Sequence, residues 1–277
     1  DIFARRFAAD GAPLTADIPV SSHPGLLAWE VSAVVASQRP EGGWIVAWAA
    51  DTADAPSTAG DVVIQRIASN GTLEGVPIIL GSDDKCLAVP SLVADPNGFM
   101  VAWEEYRPDI ALESAEHEIA GQLFDHDGTA RSMATKLNPD PEEASPYVHG
   151  VTLAYVPDLP PQPGRYIVGW NERSWVFFAG ETGTDHVKLA AFEAPETSDI
   201  PLTMTIDASI VTPTITEDPA EIYILEALIA NGAGVVACID PGYAAYDEMF
   251  HCQRFTTGLV PFGAPIYPAE SDAAWSA

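Results

Sequence analysis

The chain has 277 residues, of which 47% are apolar and 19% are charged. This apolar content is sufficient for a packed core, so a wholly disordered chain is excluded. The 40 acidic and 12 basic residues give a net charge of -28, which repels phosphate backbones and excludes nucleic acid as a partner. No apolar run reaches about 18 residues, so no membrane span is predicted.

Two short motifs alternate along the chain. The first is a β-branched and aromatic run entered from a turn, and its copies are 43–48, 98–103, 165–170 and 234–239. The second is a strand that ends in a tight turn, with copies at 5–11, 65–71, 122–128 and 253–258 and a degenerate copy at 189–193. Asp-Gly and Asn-Gly pairs favour hairpins because both residues tolerate positive φ.

In chain order, these motifs predict repeated units of four antiparallel strands. Residues 2–20 predict the last two strands of an incomplete unit. The first full unit has predicted strands at 29–37, 44–49, 62–68 and 72–80, and the later units begin with strands at 89–94, 147–155 and 222–230. The whole chain, 1–277, is then one domain with a half repeat at 1–22 and repeats at about 23–82, 83–140, 141–208 and 209–271.

Repeated four-stranded units without a convincing helix predict an all-β fold, specifically a β-propeller of four complete blades and an N-terminal half blade. The second strand of each unit is apolar on both faces, as expected for a sheet packed between two others. Trp48, Trp103 and Trp170 occupy equivalent positions on these strands and are predicted to pack between blades. A β-sandwich is the alternative fold.

The motifs at 42–48 with 65–71, and at 98–103 with 122–128, resemble a repeat common in large secreted and surface proteins of bacteria. The unit of that repeat reads approximately Gly-Gly-Phe-Val-Val-x-Trp and then Gln-Arg-Phe-Asp-x-Asp-Gly, and Asn97 stands where its first glycine would be. The resemblance implies a propeller-like extracellular module and carries no catalytic residues with it.

The repeat count does not close a ring. The chain starts at Asp1 rather than at a methionine, so we expect that a leader or a longer preceding segment has been removed. Either the chain is a piece of a longer protein, which is the preferred interpretation, or the ring is completed irregularly. Assembly with another chain through the incomplete N-terminal unit is a further expectation.

In a propeller, the connections between second and third strands and between successive units share one face. Here these connections are long and acidic, so this face is predicted to be negative. Calcium is the cofactor that such oxygen ligands suit, and a solvated acidic surface without a cofactor is the alternative. The segment 125–128 is interpreted as a hairpin turn, because its equivalents lose the acidic ligands of a calcium loop.

Five aromatic residues fall in or beside the acidic connections and are the predicted ligand-binding residues, namely Tyr106, Trp175, Phe177, Tyr243 and Tyr246. Aromatic rings beside carboxylates suit a glycan or a protein partner. For Trp175 and Phe177, an extra strand or a small local core is the alternative interpretation.

Cys238 and Cys252 lie at the ends of neighbouring antiparallel strands, where a disulfide is predicted. Such a bond agrees with a secreted or cell-surface location, and Cys86 is left unpaired or bonded outside this sequence. No enzyme signature is present. The sequence therefore predicts a non-catalytic extracellular recognition or structural module. The alternatives are a glycan-active hydrolase on a propeller scaffold and a segment of a surface filament or large adhesin-like protein.

Overall fold

A computed structural model of the chain describes residues 2–21, 31–51, 60–81, 86–106, 117–138, 147–157, 164–174, 184–195, 198–210, 224–231, 234–240 and 251–267. Within these ranges the protein is all-β, with strands in antiparallel sheets and no helix. The described residues accordingly contain no helix of the length and apolarity needed to cross a membrane.

The strands form an N-terminal hairpin followed by four larger sheets. The hairpin pairs β1 (Phe3–Ala4) with β2 (Ile18–Pro19). The first sheet contains β3 (Val31–Gln38), β4 (Trp44–Asp51), β5 (Gly60–Ile67) and β6 (Leu73–Leu80). The second contains β7 (Cys86–Asp95), β8 (Gly98–Tyr106), β9 (His117–Asp125) and β10 (Thr135–Lys136). The third contains β11 (Tyr147–Val156), β12 (Arg165–Ser174), β13 (Thr184–Glu193) and β14 (Thr203–Ile210), and the fourth contains β15 (Ile224–Asn231), β16 (Gly234–Asp240) and β17 (His251–Phe255).

The fourth sheet differs from the complete four-stranded unit that the sequence predicts. Among the described residues it has three strands, and its outer edge carries the isolated bridges Cys252↔Ile266 and Phe255↔Pro261. Proline has no N–H to donate to a ladder, and both Pro261 and Pro265 fall in this segment. The outer edge is therefore held by scattered bridges rather than by a continuous ladder.

The predicted disulfide is present. Cys238 on β16 lies directly opposite Cys252 on β17, and their sulfur atoms are joined at 2.09 Å. The bond ties the central strand of the fourth sheet to its neighbour.

The segment 125–128 forms a hairpin turn, as predicted. Gly128 donates its N–H to the Asp125 carbonyl at 2.9 Å, and its φ of 89° is in the left-handed region that favours glycine. The Asp127 carboxylate accepts the backbone N–H of Thr129 at 2.8 Å, and this bond is the main cause of the lowered pKa of Asp127. The carboxylate therefore stabilises the turn itself.

The four larger sheets and the hairpin pack face to face in chain order. Alternation along β4 sends Val46 and Trp48 toward the N-terminal hairpin, and sends Ile45 and Ala47 toward the second sheet. We call these the preceding face and the following face of a sheet. Equivalent clusters fill the junctions between the second and third sheets and between the third and fourth sheets. The three repeat tryptophans are all buried, which confirms their predicted place in the core.

The first strands of consecutive sheets, β3, β7, β11 and β15, lie against one another. Each of these strands is interrupted by a bulge or register shift at the equivalent position, at Ser32/Val35, Ala88/Ser91, His149/Thr152 and Leu225/Ala227. Bulges bend a strand and increase its twist. The repeated bulge is thus a structural element of the repeat, placed where the sheets come together.

The residue after the repeat tryptophan links consecutive sheets at this bulge. Glu104 accepts the backbone N–H of Gly150 on β11 at 2.6 Å, and Asn171 in the next sheet accepts the backbone N–H of Leu225 at 2.9 Å. Glu104 is buried, and this burial raises its pKa although the bond from Gly150 acts in the opposite direction.

Replacement of Glu104 by glutamine tests this burial. Since the folded-state pKa lies above the ordinary value of 4.5, the folded protein holds this proton more tightly than the unfolded chain. Glu104 therefore makes stability fall as the pH rises from 4.5 through the raised folded-state pKa. Glutamine keeps the acceptor oxygen and does not titrate. The unfolding free energy of Glu104→Gln should therefore increase relative to that of the wild type as the pH rises. Urea unfolding of both proteins at each pH measures it, and parallel pH profiles would show that Glu104 is not desolvated.

Candidate binding site

A cleft opens between the second and third sheets, at the end where first strands turn into second strands. It has a volume of about 210 Å³ and is lined by Asn97, Arg131, Tyr155, Gly164, Tyr166, Glu193 and Ala194. The turn after β7 supplies Asn97, and the segment after β9 supplies Arg131. The third sheet supplies the tyrosines and Glu193 from the ends of β11, β12 and β13.

Three of the lining residues are held together by Asp95, a carboxylate whose side chain is 1% exposed. It accepts the backbone N–H of Asn97 at 2.5 Å, a guanidinium N–H of Arg131 at 3.2 Å and the phenolic O–H of Tyr166. Burial first, and then the negative charge of Asp95, raise the pKa of Tyr166. The phenol therefore stays protonated and remains a donor that joins the third sheet to the second.

One wall of the cleft is aromatic. Tyr155 and Tyr166 are directly opposite each other on β11 and β12, and their ring centroids are 5.2 Å apart at an interplanar angle of 48°. Tyr166 is buried, whereas Tyr155 is only partly buried. Tyr155 is therefore the ring that can meet a ligand.

Charged side chains stand beside the aromatic wall, with Glu193 coming from the third sheet and Arg131 from the second. The Arg165 Nε atom lies 3.3 Å from the Glu193 Oε1 atom, and both side chains are partly exposed. Arg131 also lies 3.4 Å from the half-exposed carboxylate of Asp125. Guanidinium donors, a carboxylate acceptor and a tyrosine ring thus converge on one small space, and this mixture suits a ring-shaped ligand with several hydroxyl groups.

The carboxylates beside the cleft differ in what they can do. Asp95 is buried and its oxygens are taken by three donors, whereas Glu193 is exposed enough to reach a ligand. Hydrolysis of a glycoside by a carboxylate pair needs two carboxyl groups facing the same bond. Among the described residues, Glu193 lines the cleft with an accessible carboxylate, and the half-exposed Asp125 contacts Arg131 beside it.

Of the five predicted ligand-binding residues, the structure describes Tyr106. It lies at the opposite end of β8 from Asn97, and its ring stacks on His117 with centroids 5.7 Å apart. Burial lowers the pKa of His117. The other four, Trp175, Phe177, Tyr243 and Tyr246, lie outside the described residues, so their predicted role stays a prediction.

The acidic connections that motivated a calcium site lie mostly outside the described residues. Within the part of the chain that the structure describes, no group of three or more His, Cys, Asp or Glu side chains is arranged to hold a metal ion. The calcium interpretation therefore stays a prediction.

The sequence matches no protein-family model and no curated protein sequence. The protein is similar to a solved structure of a BT0996 RGII complex, with a TM-score of 0.46 and 11% sequence identity, over 89% of this protein's length and 77% of the length of the other. A similarity this distant assigns neither a fold nor a ligand to this protein.

Sequence reasoning alone does not find the cleft. Sorting the charged connections by face points to the other end of the sheets, and Tyr155 and Tyr166 resemble ordinary strand residues. The sequence does contain one local signal, which is the carboxylate of Asp95 at the end of an apolar first strand. A carboxylate buried there is costly unless it has hydrogen-bond partners.

Proposed function

We propose that this chain is a propeller-like, non-catalytic module, secreted or held at the cell surface, which binds a glycan through the cleft between its second and third sheets. The observation that carries the proposal is the convergence of Tyr155, Arg131 and Glu193 on one small space. The proposal has three parts, namely the arrangement of the sheets, the location and the ligand.

The packing of the sheets supports a propeller. The first, second and third sheets each bury apolar residues on both faces, whereas the sheets of a two-layer sandwich bury one face each. The first strands lie together and carry the repeated bulge, as expected if the sheets radiate from a common axis.

The disulfide between Cys238 and Cys252 supports a location outside the cytosol, because such bonds form and persist in oxidising compartments. The net charge of -28 agrees with a soluble protein that does not bind anionic polymers.

The size of the cleft supports a small sugar ligand. A volume of about 210 Å³ is below the roughly 300 to 1,000 Å³ of pockets that enclose drug-sized ligands. We therefore expect one terminal sugar residue to enter, with its ring against Tyr155 and its hydroxyl groups bonded to Arg131 and Glu193.

Binding to a glycan array tests the proposal. Tyr155→Ala should weaken binding roughly tenfold or more, equivalent to about 1.4 kcal/mol, because the stacking ring is lost. Tyr155→Phe keeps the ring and should retain most of the affinity. Circular dichroism of each variant confirms that the fold is intact.

Tyr106→Ala is the matched control at the opposite end of β8. If it abolishes binding while Tyr155→Ala does not, the ligand site is the loop face predicted to include Trp175, Phe177, Tyr243 and Tyr246. A panel of chromogenic glycosides completes the test. If the wild type hydrolyses a glycoside and Glu193→Gln does not, the protein is a hydrolase and the proposal of a non-catalytic module is wrong.

A second candidate function is a segment of a surface filament or larger adhesin-like protein. The observation that favours it is the exposure of apolar side chains at both ends of the stack of sheets, on the N-terminal hairpin and on the fourth sheet.

A further inference from the structure

The N-terminal hairpin and the fourth sheet are the first and last layers of the packed sheets. Each exposes apolar residues at repeat positions that are buried in the sheets between them. One position of the second motif faces the preceding sheet in every unit. In the four larger sheets it is occupied by Ile67, Phe124, Phe192 and Phe255, all of them buried. The equivalent residue of the N-terminal hairpin is Phe7, which is 57% exposed. Phe3 on the same hairpin is 60% exposed.

The following face of the fourth sheet shows the complementary feature. In the other sheets, Ile45, Met100 and Ile167 pack from the second strand into the next junction, and Val236 is their equivalent. Directly opposite Val236 on β15 is Ile229, which is 59% exposed. Phe262 and Ile266 at the outer edge of this sheet are also exposed. The fourth sheet thus retains the apolar following face of the repeat.

A polar contact specifies how such faces meet. At the junction of the first and second sheets, the guanidinium of Arg66 donates to the carbonyl of His126 at 3.1 Å. By repeat position, Arg254 of the fourth sheet is equivalent to Arg66, and Ala9 in the hairpin turn is equivalent to His126. The Arg254 guanidinium lies 5.5 Å over the Phe262 ring on this face, where it is placed to reach a carbonyl of an adjoining sheet.

We propose that the following face of the fourth sheet in one molecule packs against the N-terminal hairpin of a second copy, so that chains associate head to tail. Ile229 and Phe262 of one copy cover Phe3 and Phe7 of the next, and Arg254 donates to the turn carbonyl of Ala9. Among the described residues, no hydrophobic cluster joins the hairpin to the fourth sheet of its own chain. Because the two faces differ, the contact is heterologous and can extend from copy to copy.

The proposal is tested by measuring mass with light scattering over a range of protein concentrations. The charge of -28 opposes self-association by long-range repulsion, so oligomers should grow on raising the salt concentration to about 0.5 M. Arg254→Gln, which removes a charged donor, should weaken the association several-fold without changing the monomer's melting temperature.

Two variants that each block one face give the sharper result. Phe7→Asp and Ile229→Asp should each be monomeric alone, because each retains only one working face. An equimolar mixture should form a 1:1 dimer and nothing larger, since the intact fourth sheet of the first variant meets the intact hairpin of the second. Val76→Asp introduces the same charge at a residue of β6 that is 75% exposed, and it should associate like the wild type.

Other outcomes overturn the head-to-tail contact. A wild type that stays monomeric while both variants lose thermal stability would indicate that the two faces close on each other within one chain. A variant that dimerises by itself would indicate a symmetric interface. A wild type that stays monomeric with variants of unchanged stability would show that neither face is covered. Tyr155→Ala serves as an independent check, because loss of glycan binding should leave the association unaffected.

Discussion

Replacement of Trp170 by alanine is expected to lower the free energy of unfolding by about 3 to 5 kcal/mol, as for other buried large-to-small substitutions. The indole is fully buried in the cluster that joins the second and third sheets, where Leu123 and Phe192 belong to the same cluster. Both sheets are held by other neighbours, so they cannot collapse into the space that the indole leaves. Urea unfolding followed by circular dichroism measures the loss.

Trp170→Phe separates packing from hydrogen bonding at the same site. Within the described part of the chain, the Trp170 Nε1 atom is buried without a hydrogen-bond partner. Phenylalanine fills much of the space and removes this unsatisfied donor, whose burial costs about 1 to 3 kcal/mol. We therefore expect Trp170→Phe to cost less than half as much as Trp170→Ala, and equal losses would contradict the packing explanation.

The strand positions could be predicted because their signals are local. The second strands are apolar on both faces, and the predicted strand at 44–49 is observed as β4 (Trp44–Asp51). Tight turns such as 125–128 are also local, because a side chain bonds the backbone two residues further along the chain, as Asp127 does with Thr129. The disulfide followed from placing Cys238 and Cys252 on adjacent strands of one unit.

The repeated bulges could not be predicted from the sequence. A bulge depends on how the strand pairs with its neighbour, and the four bulged segments share no residue type that marks them. Among the described positive-φ residues, Gly150, with a φ of 69°, is the one that lies in a first-strand bulge. At the other three bulges, the feature that the structure shows is the packing of the first strands against one another.

The cleft escapes sequence reasoning because its parts are distant in sequence. Asp95 and Tyr166 are 71 residues apart, and neither belongs to a short motif with a known chemistry. The buried carboxylate is explained only when the second and third sheets are placed side by side. Repeat patterns predict what the units share, whereas this cleft is formed by residues in which two units differ.

Asp95 is expected to be sensitive to substitution, because it is a buried carboxylate that accepts three hydrogen bonds. Asp95→Asn removes the charge that holds Arg131 and weakens the acceptor for Tyr166, while the side-chain volume stays almost unchanged. Removing one partner of a buried ion pair costs about 3 to 5 kcal/mol. Because the Arg131 side chain is 19% exposed and can be partly hydrated, we expect a loss near the lower end of that range.

Asp125→Asn is the matched control, since Asp125 contacts the same Arg131 at 3.4 Å with a side chain that is 51% exposed. Exposed ion pairs contribute about 0 to 1 kcal/mol, so this variant should be almost as stable as the wild type. A double-mutant cycle of Asp95→Asn with Tyr166→Phe then isolates the bond between the two sheets. If that bond joins them, the losses of the single variants will not add, and the double variant will be more stable than their sum implies. Additive losses, or an Asp125→Asn loss as large as that of Asp95→Asn, would show that Asp95 does not hold the second and third sheets together.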